Sequence, residues 1–230
     1  MFTGLVQAIG AIVSVRRLQG GVHIEVDADA LAPRAIATGD SIAVDGVCLT
    51  ATAVTGRRFG ADVSGETLSK TAGLDVCHPV NLETSLAFGE KLGGHLVAGH
   101  VDGVGVVLRC TPIGESVELV VLAPAALARF LAPKGSVAIN GVSLTINRVV
   151  DGGTKAPARS LRDEAGTAEP SAAEGCEISI NLIRHTLAAT TLGNLAAGSR
   201  VNLEADLIAR YVARMLDPAA GNSDAAPEIP

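Results

Sequence analysis

Between Gly93 and Gly103 the chain reads GGHLVAGHVDG, which sets two of its five histidines, His95 and His100, close to Asp102. Two imidazoles beside a carboxylate are types that bind metal. The spacing disfavours a metal: no third strong ligand lies nearby, and on a strand positions 95 and 100 face opposite sides. The glycines do not form a dinucleotide fingerprint either, since Gly103-x-Gly105 is followed by Leu108 where the third glycine belongs. A second group of reactive types lies in DSIAVDGVCLT, Asp40 to Thr50, with Ser41, Cys48 and Thr50. The chain writes this stretch again as GSVAINGVSLT, Gly135 to Thr145, at an offset of 95, with six of eleven positions identical.

Each copy predicts a β-hairpin. Asp45-Gly46 and Asn140-Gly141 are the dipeptides that a two-residue type I′ turn requires, because both turn residues take positive φ. Pairing Val44 with Val47 sets 43 opposite 48, 42 opposite 49 and 41 opposite 50. One face then carries Ile42, Val44, Val47 and Leu49 and forms core, while the other carries Ser41, Ala43, Cys48 and Thr50. The second copy repeats the choice with Ser136, Ala138, Ser143 and Thr145. A solvent face would carry Lys, Glu or Arg. Small hydroxyls and a thiol suit a concave wall for a polar, uncharged ligand, and they equally suit a tightly packed second layer of a small barrel. The residues alone leave both readings open.

The duplication extends over most of the chain. Phe2 to Val15 aligns with Val97 to Cys110 at the same offset, with glycines at 4/99 and 10/105 that mark a bulge, a barrel corner or a close backbone approach. Arg58 to Leu68 aligns with Glu177 to Leu187 at an offset of 119, and VNLE at 80–83 recurs at 201–204. The change of offset locates a 24-residue insertion at about 151–175, rich in Gly, Ala, Pro and Ser, which reads as a long disordered hairpin loop. Leu31 to Ala37 and Pro124 to Ala132 predict one short helix per repeat. Many short strands at regular spacing predict an all-β protein of two tandem, homologous, six-stranded Greek-key-like barrels. The expected domains are 1–95 and 96–203, followed by an oligomerisation helix at 204–216 and a disordered tail at 217–230. In that helix Leu207, Ile208, Tyr211, Val212, Met215 and Leu216 form a wide apolar stripe behind Asp206 as N-cap.

Composition narrows the partners. A net charge of −6 without a Lys/Arg cluster excludes nucleic acid or an anionic membrane as the main partner. Hydrophobic residues make up 48% and charged ones 18%, enough apolar material for two cores. No apolar run approaches a membrane span. Cys48, Cys77, Cys110 and Cys176 show no CxxC, and the N-terminus has no signal-like segment, which points to a reducing, cytoplasmic setting.

MFTGLV at the start, DGVCLT, GGHLVAGHVDG, NGVSLT, and NLEAD followed by ARYVAR resemble the riboflavin synthase family, in this order and over nearly everything except the insertion and the tail. The resemblance implies tandem lumazine-binding barrels in a homotrimer and a transferase of riboflavin biosynthesis that needs no cofactor and no metal. Two molecules of 6,7-dimethyl-8-ribityllumazine would exchange a four-carbon unit, giving riboflavin and 5-amino-6-ribitylamino-pyrimidinedione. The first barrel of one subunit would face the second barrel of a neighbour. By the same resemblance the catalytic residues are Ser41, Cys48, His100 and Asp206. The substrate-binding residues are Phe2, Gly4, Val6, Thr50, Glu66, Thr67, Lys134, Ser143, Thr145, Ile183 and Thr186. His95 is expected to be structural, His185 to lie near the pocket rim, and His23 and His78 to have no part. Ser64-Gly65 stands where the family more often has Met-Pro, and the insertion has no counterpart. The rival reading is a lumazine protein, which shares the double barrel and binds without chemistry. A reductase flavin barrel would need a nucleotide domain that this chain lacks.

Overall fold

Both hairpins form where the turn dipeptides put them. The computed structural model describes residues 1–31, 36–153 and 175–216. Its first repeat contains β1 (Ala8–Leu18), β2 (Gly21–Asp27), β3 (Ser41–Val44), β4 (Val47–Thr50), β5 (Ala53–Thr55), β6 (Arg58–Ser64), α1 (Gly65–Lys70) and β7 (Pro79–Thr84). Its second contains β8 (Gly103–Ile113), β9 (Ser116–Pro124), β10 (Ser136–Ile139), β11 (Val142–Gly153), β12 (Gly175–Leu182), α2 (Arg184–Ala189) and β13 (Arg200–Ala205), after which comes α3 (Leu207–Leu216). Asp45 and Gly46 take φ of 45° and 80°, and Asn140 and Gly141 take 46° and 78°, which closes two-residue turns that match the right-handed strand twist. The register is the expected one, from Ser41 opposite Thr50 to Val44 opposite Val47, and likewise from Ser136 opposite Thr145 to Ile139 opposite Val142.

The second repeat closes into a six-stranded barrel in the order β10-β11-β12-β9-β8-β13. The first repeat, expected as a second six-stranded barrel, is a seven-stranded sheet in the same order, β4-β3-β7-β1-β2-β6-β5, because β4 and β5 together occupy the place of β11. The long strand is bulged between Ile146 and Arg148 in the second barrel and interrupted at Ala51 and Thr52 in the first, where the Thr52 amide still donates to the Gly60 carbonyl. A bulge bends a strand enough to close a small barrel. Each barrel has its own apolar interior, built in part on Ile24, Ile42 and Leu82 in the first and Leu119, Ile139 and Leu203 in the second. Gly10 and Gly105 sit inside these cores, where a Cβ would come within 2.4 Å of Leu82 and 2.7 Å of Leu203. That is the close approach anticipated for a glycine inside a strand.

Three local expectations change. The helix expected at Pro124 to Ala132 is a 3-10 turn, Ala125–Phe130; of the one expected at Leu31 to Ala37, residues 32–35 lie outside the described residues, 36 and 37 are not helical, and a 3-10 turn, Asp29–Leu31, ends at its first residue. The helices α1 and α2 are additional: Ser64 caps α1 by accepting the Thr67 amide at 3.1 Å, but six residues are too few to show an apolar period. Residues 93–102 form loop with one isolated bridge, Phe2 to Val97, and are not strand. Of the loop expected at 151–175, residues 151–153 end β11 and Gly175 begins β12, while 154–174, like the tail at 217–230, lie outside the described residues.

The barrels meet about an internal pseudo-twofold axis. Gly46 and Gly141 abut so closely that a Cβ on Gly46 would lie 2.6 Å from the Gly141 nitrogen. Around them four side chains interlock. The Asn81 amide donates to Asp45 Oδ1 and its side chain to the Asn140 carbonyl; the Asn202 amide donates to Asn140 Oδ1 and its side chain to the Asp45 carbonyl. Each repeat thus grips the turn of the other, through the asparagines of the two VNLE stretches.

Candidate functional site

The segment leading into each barrel lies across the other barrel. Residues 3–6, which precede β1, pass over the second hairpin: the Ser143 amide donates to the Gly4 carbonyl at 2.8 Å, and Val6 packs on the second core. Residues 98–101, which precede β8, pass over the first hairpin: the Cys48 amide donates to the Gly99 carbonyl at 2.9 Å, and Val101 packs on the first core. Gly4 and Gly99 have positive φ of 73° and 78°, and a Cβ on either would fall 2.6 Å from Cβ of Ser143 or Cys48. Only glycine lets these straps lie so near the hairpins. Every candidate pocket wall is therefore composite, with a hairpin from one repeat and a strap from the other.

Buried carboxylates hold the straps. Glu83 accepts the Thr3 amide and hydroxyl on one oxygen, both at 2.7 Å, and the Gly4 amide on the other at 3.0 Å. Glu204, its counterpart, accepts the amides of Ala98, Gly99 and His100 at 2.7, 2.9 and 3.1 Å. Burial pushes both carboxyls above the usual glutamate value, and the amide donors pull the other way. The sequence shows VNLE twice, but neither glutamate is among the expected site residues. Their partners lie 79 to 106 positions away, so only the repetition itself signals them.

On the hairpin faces the packed-layer reading holds near the turns, and the rest of each face stays partly open. Near the turns, Ala43 and Ala138 are buried with Phe2 and Val97 in a cluster that Cys48 borders. Phe2, at 0% exposure, is a packing residue of this junction. Away from the turns the walls open: Ser41, Cys48 and Ser143 are half-buried, and Thr50 and Thr145 are exposed. Around the first wall stand Ser41, Cys48 and Thr50 with the strap bearing His100, whose side chain is exposed. Around the second stand Ser143, Thr145, Gly4 and Val6. Glu66 and Thr67 lie on α1, while exposed Ile183 precedes α2 and Thr186 lies on it.

Lys134 occupies the turn before β10 with φ of 68°, where the first repeat has Gly39 at 95°. Its amide donates to the Ile146 carbonyl as that of Gly39 does to Ala51. A lysine held in the left-handed region where its twin is glycine carries strain on the order of 1 kcal/mol.

His95, expected to be structural, is half-buried beside the second wall. Its Nδ1 lies 2.7 Å from Ser143 Oγ, while its Nε2 is buried and has no hydrogen-bond partner among the described residues. Burial pulls the imidazole below the usual histidine value, against the opposing influence of the Asp206 carboxylate. A neutral imidazole hydrogen-bonded to a hydroxyl is the arrangement that activates a hydroxyl or relays a proton. Asp206 also caps α3, accepting the Ile208 amide at 2.9 Å, so it serves the helix while biasing His95. The residues alone gave no sign of the pair, because Ser143 is 48 positions from His95. A separate cavity of about 510 Å³, lined by Asp45, His78, Asn140, Thr191, Asn194 and Arg200 among others, lies behind the interlocked turns and contains none of the expected site residues.

The sequence profile described as the lumazine binding domain matches the chain twice, over residues 3–85 and 98–206. A riboflavin synthase of Brucella abortus is 37% identical over 222 residues, covering 94% of this chain and 98% of that enzyme. One of Mycobacterium tuberculosis is 38% identical with the same coverage. Among solved structures, LumP complexed with riboflavin superposes with a TM-score of 0.69 at 26% identity, covering 89% of this chain and 99% of that one.

Proposed function

This chain belongs to the riboflavin synthase family, and we propose that each of its two composite walls holds one molecule of 6,7-dimethyl-8-ribityllumazine. The pair exchanges a four-carbon unit, leaving riboflavin and 5-amino-6-ribitylamino-pyrimidinedione. The observation that carries this reading is the crossing of the straps. It produces two half-sites of the same plan but different chemistry, as the reaction of two identical molecules in two different roles requires. One wall offers the Cys48 thiol, and the other the Ser143 hydroxyl with the His95 imidazole behind it.

In the second barrel, His95 acting through Ser143 serves as base for the C7-methyl proton, and the lowered affinity of His95 for protons keeps it free to accept one at neutral pH. In the first, Cys48 and Ser41 supply or position the nucleophile that adds at C7 of the partner ring, with His100 at the rim for proton transfer. Thr50, Thr67, Thr145 and Thr186 offer donors to the ring edge and the ribityl hydroxyls, and Lys134 a charged donor.

Within one chain the two open walls are separated by the packed junction of Phe2, Ala43, Val97 and Ala138. We therefore place the reaction between the first barrel of one subunit and the second barrel of another, in a homotrimer. The large residues of α3 support an assembly: Ile208, Tyr211 and Met215 are 64%, 65% and 84% exposed, a stripe that a water-facing helix would not carry. The cysteines are unpaired, which suits the cytoplasm.

The test is to incubate the purified protein with the ribityl-lumazine and no additive, following riboflavin by its absorbance. Riboflavin and the pyrimidinedione should appear in equal amounts. A lumazine spectrum that shifts on binding and then stays constant would leave a ligand-holding protein of the LumP kind.

A further inference from the structure

Among the described residues, one strap carries a tether that the other does not. The strap over the first barrel is tied to α3: Arg210 Nη2 lies 2.6 Å from Asp102 Oδ2 and donates to the His100 carbonyl at 3.2 Å. Asp102 Oδ2 also accepts the Ala205 amide at 2.8 Å, so the carboxylate joins strap, β13 and helix at one point. Both side chains of the ion pair are a third exposed or less, which spares the pair much of the screening that weakens a surface ion pair. The positive charge of Arg210 also favours the ionised form of Glu204, the group that holds the amides of Ala98, Gly99 and His100. In the other repeat the position of Asp102 is filled by Gln7, a neutral side chain whose Oε1 accepts the amide and hydroxyl of Thr84, both at 3.0 Å. Arg210 lies beyond the duplicated region and has no twin.

We propose that Arg210 is a positioning residue for the first barrel's half-site, through which the seating of α3, and of whatever packs on its outer face, sets the strap at Gly99 and His100 against Cys48. Among the described residues the second half-site has no arginine in the equivalent place. Assembly through α3 thus completes one half-site and leaves the other as it is. This rests on the reading that the straps wall ligand sites.

The tethering group acts by charge and by fork geometry, which separates two replacements. Arg210→Met keeps most of the apolar stem and removes both charge and donors. Arg210→Lys keeps the charge but cannot reach the Asp102 carboxylate and the His100 carbonyl with one planar fork. Asp102→Asn breaks the same tie from the strap side. Riboflavin serves as the probe, titrated by its fluorescence in the full chain, in a Ser143→Leu background that fills the second wall and a Cys48→Leu background that fills the first.

In the Ser143→Leu background, Arg210→Met and Asp102→Asn should each weaken binding by about tenfold, the effect of losing roughly one charge-assisted hydrogen bond. In the Cys48→Leu background, affinity should stay within about twofold. The pH profile supplies a readout that a merely structural role would not move. Without the Arg210 charge, Glu204 takes up its proton at higher pH, so the acid-side change of first-barrel affinity should shift upward in Arg210→Met and stay in place in Arg210→Lys. Equal losses in both backgrounds, unchanged first-barrel affinity or an unshifted acid limb each overturn the proposal. Failure of the otherwise unaltered Ser143→Leu and Cys48→Leu chains to bind riboflavin would overturn the site reading itself, and the proposal with it.

Discussion

Asp45→Asn is the substitution for which the duplication supplies its own control, since Asn140 already fills the equivalent place in the second repeat. Asp45 is 4% exposed. Its Oδ1 accepts the Asn81 amide at 2.8 Å, a bond that Asn140 Oδ1 reproduces with the Asn202 amide at 2.7 Å. Burial raises the Asp45 carboxyl from 3.8 to about 7, because that one amide donor does not make up for lost water. His78 Nε2 stands 4.0 Å from Oδ2, too far for a hydrogen bond, and gives its own bond to the Gly73 carbonyl. A folded-state pKa above the unfolded one means that stability is fully present below pH 3.8 and is lost as pH rises through about 7. A tenfold change in proton affinity corresponds to about 1.4 kcal/mol, so the loss approaches ~4 kcal/mol as an upper bound. The asparagine avoids it. Asp45→Asn should therefore be the more stable chain at pH 8, by up to ~4 kcal/mol, with a rise in Tm of several degrees. Near pH 4 the difference should nearly vanish. Paired thermal melts of the two chains between pH 4 and 8 measure this directly. A wild-type chain that is the more stable at pH 8 would show that the carboxylate is well paired, and would refute the argument.

Other substitutions probe the site itself. Lys134→Gly should stabilise the fold by about 1 kcal/mol by relieving the left-handed lysine while weakening ligand binding in the second barrel, and unfolding and titration of one preparation would report both. Glu83→Gln should lower stability by about 1–3 kcal/mol, because an amide group can serve only one side of the Thr3/Gly4 cradle, with second-barrel affinity falling and first-barrel affinity kept. His95→Ala should reduce turnover by about 10²–10⁴-fold with substrate binding largely retained. In the unaltered enzyme the acid limb of the rate should lie below the ordinary histidine range, as burial of His95 requires; a limb above that range would remove His95 from the base role. Gly141→Ala places a Cβ against Gly46 at a positive-φ position and should cost more than about 2 kcal/mol, seen as a lowered unfolding midpoint.

The hairpins, their register and their core faces were legible in the sequence because Asp-Gly and Asn-Gly pin a two-residue turn, and alternation then fixes every side chain. The double barrel was legible because the duplication was. The crossing of the straps was not: Gly4 and Gly99 announce a close approach, but what they approach lies in the other repeat, and glycine names no partner. For the same reason the contact of His95 with Ser143 goes unseen, and Glu83 and Glu204 draw no notice. Their meaning rests on contacts 48 to 106 positions apart. The helices α1 and α2 escape because fewer than two turns leave no period to read. Asp206 reads as a helix cap from its place before an apolar stripe, and so it is; its influence on His95 adds a second duty that no local pattern carries.

That the two substrate molecules react between barrels of different subunits is tested most directly by mixing two disabled chains. Cys48→Leu fills the first wall and Ser143→Leu the second, and each alone should form an assembly with little riboflavin-forming activity. Mixed trimers, isolated through two affinity tags, join an intact first barrel to an intact second barrel at one interface of the ring. They should recover about a third of the unaltered activity if the interfaces are equivalent. Mixed assemblies that stay as inactive as their parents would mean that both molecules react within one chain, and would contradict the account.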